Sequence, residues 1–282
     1  MNKTASKRFD IPRRLAVAAV ALTAVLALSF GAPAAATVVT GNPGGNCTPT
    51  PGDYDGNGST DLSQLCDGAW LFYSPAGALV KGIWVGNVAN DKPIPADYDG
   101  DGDDDVAVWR QGAYLFYDYA TGNPTTQLWV GDHGNCVPAP GDFDGDGKAE
   151  LSQKCNGAWY FYNSTSGAFM KGLWIGDIAG QIAVPGDYQG IGRDQVTVFR
   201  NGAWEFWNWD TGAGQGGFWT SAGAYPAPLD VDGDGDLDFT VFNAGAWLFF
   251  SGEQFGQVPA VTGSVWTGGV AGDIPISRRI TR

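Results

Sequence analysis

Five short acidic segments, spaced almost evenly along the 282-residue chain, constrain its fold more than any other feature. The fullest reads Asp142-Phe143-Asp144-Gly145-Asp146-Gly147-Lys148-Ala149-Glu150. Related nonapeptides begin at Asp53, Asp97, Asp187 and Asp230, so successive starts lie 44, 45, 45 and 43 residues apart. A period of that size marks propellers, solenoids and similar arrays, in which each unit buries its apolar surface only against a neighbour. Within each segment, side chains at positions 1, 3, 5 and 9 surround glycines that permit a sharp turn. With a backbone carbonyl at position 7, the carboxylate-bearing segments supply the six or so hard oxygen ligands that Ca²⁺ takes.

Between the acidic segments every repeat has the same plan. A short Pro-bearing strand, such as Pro93-Ile94-Pro95, precedes the loop, and a second strand such as Val106-Ala107-Val108-Trp109-Arg110 follows it. Asp67-Gly68, Gln111-Gly112, Asn156-Gly157 and Asn201-Gly202 then read as tight hairpin turns into a third strand. A turn around Gly77, Gly122, Gly167 or Gly212 leads to a fourth strand, which ends in Trp-x-Gly at Trp84, Trp129 and Trp174. Segments this short, rich in aromatic and β-branched residues and broken by glycine, exclude a helical reading. Four short antiparallel strands per repeat form one propeller blade, giving an all-β propeller of five four-stranded blades over residues 47–282. Trp70, Tyr114, Trp159, Trp204 and Trp247, with Phe72, Phe116, Phe161, Phe206 and Phe249, are the expected packing layer between blades. After Trp266, Gly272-Asp273-Ile274-Pro275-Ile276-Ser277 matches the start of a sixth repeat and is expected to act as a C-terminal closing strand.

The D-x-D-G-D-G-x-x-D loops in blade-sized repeats resemble FG-GAP/VCBS-type repeats, the family that includes integrin α-subunit propellers and integrin-like fungal lectins. The resemblance covers residues 47 to about 268 and implies a calcium-binding propeller that acts by binding. The chain departs from the family in having five repeats where seven are common, and in its cysteine pattern.

Four loops carry a full ligand set: Asp53, Asp55, Asn57 and Asp61; Asp97, Asp99, Asp101 and Asp105; Asp142, Asp144, Asp146 and Glu150; Asp230, Asp232, Asp234 and Asp238. Asn57 lowers the ligand charge by one and weakens the first site. The fourth repeat has Gln189, Ile191 and Gln195 at ligand positions, with Arg193 nearby, and reads as a loop that has lost the metal and kept the turn. About four calcium ions per chain follow, structural in role, because four packed carboxylates repel one another without a cation.

Residues 1–36 are set aside as a signal peptide: a basic stretch to Arg14, an apolar run from Leu15 to Phe30, and Ala34-Ala35-Ala36 at the cleavage position. The apolar run is short for a membrane span. Residues 37–46 form a polar lead-in. The remainder holds 11 basic and 29 acidic residues, and twenty of those acids lie in the five loops, so the acidity is ligand and disfavours nucleic acid as a partner. Cys47 and Cys136 precede their loops by six residues, and Cys66 and Cys155 follow the loop starts by thirteen. In an exported chain such phasing predicts the disulfides Cys47–Cys66 and Cys136–Cys155, a zinc thiolate site being the alternative. Asp91 with Arg110, and Gln181 with Arg200, stand at the same stations in the second and fourth repeats, where an ion pair or hydrogen bond replaces the bridge.

No hydrolytic triad has candidates: His133 is the sole histidine and reads as a loop substitution. Acids outside the loops (Asp118, Asp132, Asp177, Glu205, Asp210 and Glu253) leave paired-carboxylate glycoside chemistry open. Repetition favours binding over catalysis. Tyr119 and Trp209 replace the serines of other repeats and are the candidate ligand-binding aromatics, while the Trp-x-Gly tryptophans read first as core and second as sugar platforms. The expectation is a secreted, lectin-like binding module for carbohydrate, with an extracellular protein-interaction role as the alternative and a polysaccharide lyase or hydrolase third.

Overall fold

The computed structural model describes residues 47–231, 234–251 and 260–266. These form twenty strands and no helix, grouped into five four-stranded antiparallel sheets. Blade 1 contains β1 (Cys47–Pro49), β2 (Leu62–Cys66), β3 (Ala69–Tyr73) and β4 (Leu79–Trp84). Blade 2 contains β5 (Lys92–Pro93), β6 (Val106–Arg110), β7 (Ala113–Tyr117) and β8 (Pro124–Trp129). Blade 3 contains β9 (Cys136–Pro138), β10 (Leu151–Cys155), β11 (Ala158–Tyr162) and β12 (Phe169–Trp174). Blade 4 contains β13 (Ile182–Ala183), β14 (Val196–Arg200), β15 (Ala203–Trp207) and β16 (Gly214–Trp219). Blade 5 contains β17 (Tyr225–Pro226), β18 (Phe239–Asn243), β19 (Ala246–Ser251) and β20 (Ala260–Trp266). The blades are arranged as a five-bladed β-propeller. The leader expected at 1–36 and the closing strand expected at 272–277 lie outside the described residues.

Local chemistry dictates the hairpins. The second and third strands of each blade meet at a two-residue turn with both φ angles positive: Asp67 and Gly68 at 46° and 89°, Asn156 and Gly157 at 46° and 84°. That is the turn whose twist matches paired strands, and Asn, Asp and Gly tolerate it best. The fifth blade uses Ala244 there, at φ 47°. Gly68 has a second reason to be glycine, since a Cβ on it would lie 2.5 Å from the Gly86 carbonyl.

Packing between blades follows two alternating patterns, a feature with a period of two repeats. Between blades 1 and 2, Tyr54, Trp70, Phe72, Ile83 and Val85 pack on Val106 and Val108; between blades 3 and 4, Phe143, Trp159, Phe161, Leu173 and Ile175 pack on Val196 and Val198. The 2–3 and 4–5 junctions share a different plan, with Trp109 or Phe199 beside Tyr114 or Trp204 and with Leu151 or Phe239 from the following blade. Position 8 of the loop makes the difference. It is Asp104 or Asp194 at the first kind of junction, where the carboxylate accepts the Asp53 or Asp142 N–H at 2.9 and 3.0 Å. At the second kind it is buried Ala149 or Leu237. At all four junctions the position-8 N–H donates to the carbonyl of position 1 in the preceding loop, at 2.5–2.7 Å.

At the leading edge of blade 1 one core position differs among the described residues. Leu62 is 47% exposed, whereas its counterparts Val106, Leu151, Val196 and Phe239 are 0–2% exposed. The expected aromatic layer is otherwise present: Trp70, Tyr114, Trp159 and Trp204 are fully buried, and Trp247 in the last blade is half-buried.

The covalent staples sit at directly opposed residues, Cys47 against Cys66 and Cys136 against Cys155. Blade 2 replaces the disulfide with a two-pronged ion pair, Arg110 Nε and Nη2 each donating to Asp91 at 2.7 Å. In blade 4 the expected direct pairing of Gln181 with Arg200 gives way to a shared third group. Gln181 Nε2 and Arg200 Nη2 both donate to Glu205, at 3.5 and 3.4 Å, because its carboxylate stands between them.

Candidate functional site

Each acidic loop joins the first and second strands of its blade and is closed by a single bridge, such as Gly141 to Glu150. Its own amides organise it. Asp142 accepts the Gly145 and Gly147 N–H groups at 2.7 and 3.0 Å, and Asp97 accepts those of Gly100 and Gly102 at 2.6 and 3.0 Å. The position-9 side chain always takes the N–H of position 2: Tyr54 to Asp61, Tyr98 to Asp105, Phe143 to Glu150, Val231 to Asp238, all within 2.7–3.1 Å. These bonds leave the remaining oxygens facing one another. Oxygens of Asp142, Asp144, Asp146 and Glu150 converge within 4.8 Å, as do those of Asp53, Asp55 and Asp61 and those of Asp97, Asp99 and Asp105.

Of the other expected ligands, Asp101 stands outside its group and accepts the Asp103 N–H at 3.0 Å. Asn57 Oδ1 accepts the Ser59 N–H at 2.9 Å. In the fifth loop, Asp230 accepts the Gly235 N–H at 3.2 Å and Asp234 that of Asp236 at 3.1 Å, and Asp232 lies outside the described residues. Burial, reinforced by Asp144, Asp142 and Asp146, pushes the Glu150 carboxyl up to about 8. Burial, with Asp99, Asp97 and Asp101 adding to it, pushes Asp105 up to about 7. A carboxyl that resists ionising among its own kind is a group short of a positive charge, and the all-oxygen donor set fits a hard divalent cation.

The fourth loop has an amide, Gln195, at position 9 where the others have a carboxylate. Gln195 Oε1 accepts the Tyr188 N–H at 2.7 Å, as Glu150 does for Phe143. Its Nε2 then donates to the position-7 carbonyl, Arg193 O, at 2.8 Å and to Asp187 at 3.5 Å. One amide thus joins positions 1, 2 and 7 of this loop.

The opposite ends of the blades carry a second repeated feature. The last residue of each outer strand pairs with the first residue of the third strand, as Trp84 does with Ala69 and Trp174 with Ala158. This places the tryptophans beside the second-to-third-strand hairpins, at the ends of the strands away from the acidic loops. Trp84, Trp129, Trp174, Trp219 and Trp266 are 57–70% exposed. Their expected place in the core is therefore taken by the flanking residues: Ile83 and Val85, or Leu173 and Ile175, point into the inter-blade clusters, so the residue between them points out.

Tyr119 and Trp209, the aromatics singled out from the sequence, are half-buried residues of the turns between the third and fourth strands. Tyr119 stacks on Tyr54 with centroids 6.2 Å apart, meets Phe72 edge-on, and has the Lys81 ammonium 3.4 Å from its ring centre. Trp209 meets Phe161 edge-on, and Lys171 Nζ sits 3.7 Å from its ring centre while donating to its carbonyl at 2.7 Å. His133 stacks on Tyr160 at 4.4 Å, with Nε2 2.9 Å from Tyr162 Oη. Among the other acids, Asp118 caps a turn at Thr121, Asp132 accepts the Gly134 N–H, and Asp210 pairs with Arg193.

Residues 97–151 match the FG-GAP-like repeat family, which together with five blades of one pattern is consistent with an FG-GAP repeat propeller. Comparison with curated proteins finds no match. Among solved structures, a lectin from Agrocybe aegerita that recognises non-reducing terminal N-acetylglucosamine superposes with a TM-score of 0.54 at 16% identity, over 79% of this chain and 66% of that one. The chain thus spans slightly less than two thirds of that lectin structure. A chain of the mitotic checkpoint complex matches with a TM-score of 0.45 and 13% identity over 86% of this chain and 89% of its own. The Photorhabdus luminescens Tc holotoxin pore matches at 0.47 and 18% identity over 79% of this chain and 12% of its own. At these identities the likeness is one of fold.

Proposed function

We propose that this chain is an exported propeller, held in shape by calcium in its acidic loops, that binds carbohydrate through the tryptophans repeated at the ends of its outer strands. The observation that carries the reading is the exposure of all five of those indoles, 57–70%, at equivalent positions. Large apolar surface is normally hidden, and five repeated exceptions call for a ligand that meets them at several points. An indole face offers the flat apolar platform that the C–H face of a sugar ring stacks on. Exposed Asn87, Asp132 and Asp177, three residues after Trp84, Trp129 and Trp174, offer hydrogen bonds to hydroxyls beside three of these platforms. The Agrocybe aegerita lectin, which shares the fold, recognises a sugar.

Calcium would be held by Asp53, Asp55 and Asp61, by Asp97, Asp99 and Asp105, by Asp142, Asp144, Asp146 and Glu150, and by the fifth loop from Asp230 to Asp238. There it supplies positive charge to buried carboxylates and fixes the loops. The two disulfides accord with an oxidising compartment. A protein-docking role is the second reading, favoured by the apolar outer strands of blades 1 and 3, where Val80 and Phe169 are exposed.

A glycan-array screen of the protein lacking residues 1–36, run with calcium and again with EDTA, tests the proposal. Glycan binding that falls when EDTA unfolds the loops is expected. A silent array with calcium-loaded, folded protein would overturn the carbohydrate reading and leave protein docking.

A further inference from the structure

The first acidic loop departs from the other three full ligand sets at one place. Its position 5 is Asn57, where they have Asp101, Asp146 and Asp234. Asn57 is followed by Gly58, and glycine has no side chain to shield its backbone nitrogen from a neighbouring carboxamide. The chain holds two other Asn-Gly pairs, Asn156-Gly157 and Asn201-Gly202, so the fold decides which of three chemically equal dipeptides reacts.

The three differ in where the carboxamide is tied. Asn156 and Asn201 open two-residue hairpin turns, each at φ 46°. Their side chains reach sideways to a neighbouring turn. Asn156 Nδ2 donates to the Gly134 carbonyl at 3.0 Å and its Oδ1 accepts from Asn135 at 3.1 Å, while Asn201 Oδ1 accepts the Gly223 N–H at 3.0 Å. The glycine after each is walled in by backbone: a Cβ on Gly157 would lie 2.5 Å from Asp177 N, and one on Gly202 2.6 Å from Ser221 O. Asn57 is tied forward instead. Its Oδ1 accepts the N–H of Ser59, two residues on, at 2.9 Å, which carries the carboxamide carbon over the Gly58 nitrogen between them. No atom stands within 4 Å of a Cβ placed on Gly58, and Asn57, Gly58 and Ser59 are exposed, so a ring has room to form and water has access. The Ser59 N–H also sits on the oxygen that gains charge as the ring closes. Asp101 and Asp146 make the same bond, to the Asp103 and Lys148 N–H groups at 3.0 and 2.9 Å, but their second terminal atom is another oxygen. In Asn57 it is a nitrogen, which donates and offers a hard cation nothing.

We propose that Asn57 deamidates spontaneously through a cyclic imide with Gly58, and that its aspartate product completes the first loop as a four-carboxylate calcium site. The second half rests on the calcium reading of the loops; the first does not. In the cyclisation the Gly58 nitrogen gives its proton to solvent and bonds to Asn57 Cγ. The Cγ–Nδ2 bond breaks, and that nitrogen takes a proton from solvent and leaves as ammonia. Water then opens the imide. Cleavage of the new N–Cγ bond gives aspartate, and cleavage of the original peptide bond gives isoaspartate, whose backbone is one carbon longer. The net change is one water consumed and one ammonia released. The aspartate product is the residue that the second, third and fifth loops encode directly.

The test ages the protein lacking residues 1–36 at neutral pH, with calcium and with EDTA, below the melting temperature of each form. Digestion under acid conditions and peptide mass spectrometry then locate each converted asparagine by a gain of about 1 Da. Asn57 is expected to convert at least tenfold faster than Asn156 and Asn201 in the folded protein, and the three to agree within threefold in urea. Conversion of Asn57 no faster than the other two, or a preference that survives in urea, overturns the deamidation. For the completed site, calorimetric calcium titration compares Asn57→Asp and Asn57→Gln with freshly purified wild type. Asn57 is exposed at a position where sister loops carry aspartate, so both variants should fold. Asn57→Asp is expected to tighten the weakest calcium site at least tenfold, and Asn57→Gln to leave it no tighter. Uptake by wild type that Asn57→Asp leaves unchanged overturns the completed site alone; no uptake by either overturns the calcium reading with it.

Discussion

The most demanding consequence of the loop architecture concerns Glu150. Its carboxyl is 3% exposed, accepts the Phe143 N–H at 2.7 Å, and is held at about 8 against an ordinary 4.5, chiefly by burial. A group whose proton is held more tightly in the folded state stabilises the fold below its unfolded value and loses that contribution as pH rises toward the folded one. For the metal-free chain at pH 7.5 the gap corresponds to about 4 kcal/mol at most. Blade 4 shows the remedy in place: Gln195 takes the same amide bond at 2.7 Å and adds one to the position-7 carbonyl at 2.8 Å. Glu150→Gln should therefore stabilise the EDTA-treated protein by about 2–4 kcal/mol at pH 7.5, raising Tm by about 4–16 °C. Metal-free wild type should melt progressively lower from pH 5 to pH 8, and the variant should do so less. Added calcium should stabilise the variant less than wild type, because one loop has lost a ligand. Calorimetry in EDTA decides it: a variant less stable than wild type at pH 7.5, or a wild-type Tm that rises across that pH range, refutes the reasoning.

Three further outcomes follow from the blades. Leu151→Ala should cost about 2–5 kcal/mol in chemical denaturation and Leu62→Ala under about 1, because only the first is buried; equal costs would show that Leu62 is buried in solution. Ala244, at φ 47° in a hairpin turn, should gain about 1 kcal/mol on replacement by Asn or Gly, read as a Tm increase. Replacing Cys136 and Cys155 with serine, across a separation of 19 residues, should cost about 3 kcal/mol in urea denaturation, and no loss would mean the bridge is absent in solution.

Much of this was legible because the repeat fixes phase. Asp142 and its four counterparts located the loops, and offsets of six and thirteen residues located the disulfides. The Trp-x-Gly residues were misread by hydrophobicity alone. Period two was the better guide, since Ile83 and Val85 claim the inward side and leave Trp84 outward. The alternation between blades was also written in the chain, in Asp104 and Asp194 against Ala149 and Leu237. It was missed because a 45-residue comparison averages over a 90-residue pattern. The sharing of Glu205 by Gln181 and Arg200 was not readable, since it depends on a side chain from another strand reaching between them. Nor were the contacts of Tyr119 and Trp209 with Lys81 and Lys171, which come from the preceding blade.

The most direct test of the central claim is binding to whichever glycan the array returns, measured by calorimetry for wild type and for the triple variant Trp84→Ala, Trp129→Ala, Trp174→Ala. These indoles are exposed, so the variant should melt within a few degrees of wild type. The account predicts that its affinity for an extended glycan falls at least tenfold while its calcium uptake is unchanged. Unchanged affinity in a folded triple variant would contradict the claim that the outer tryptophans are the binding surface.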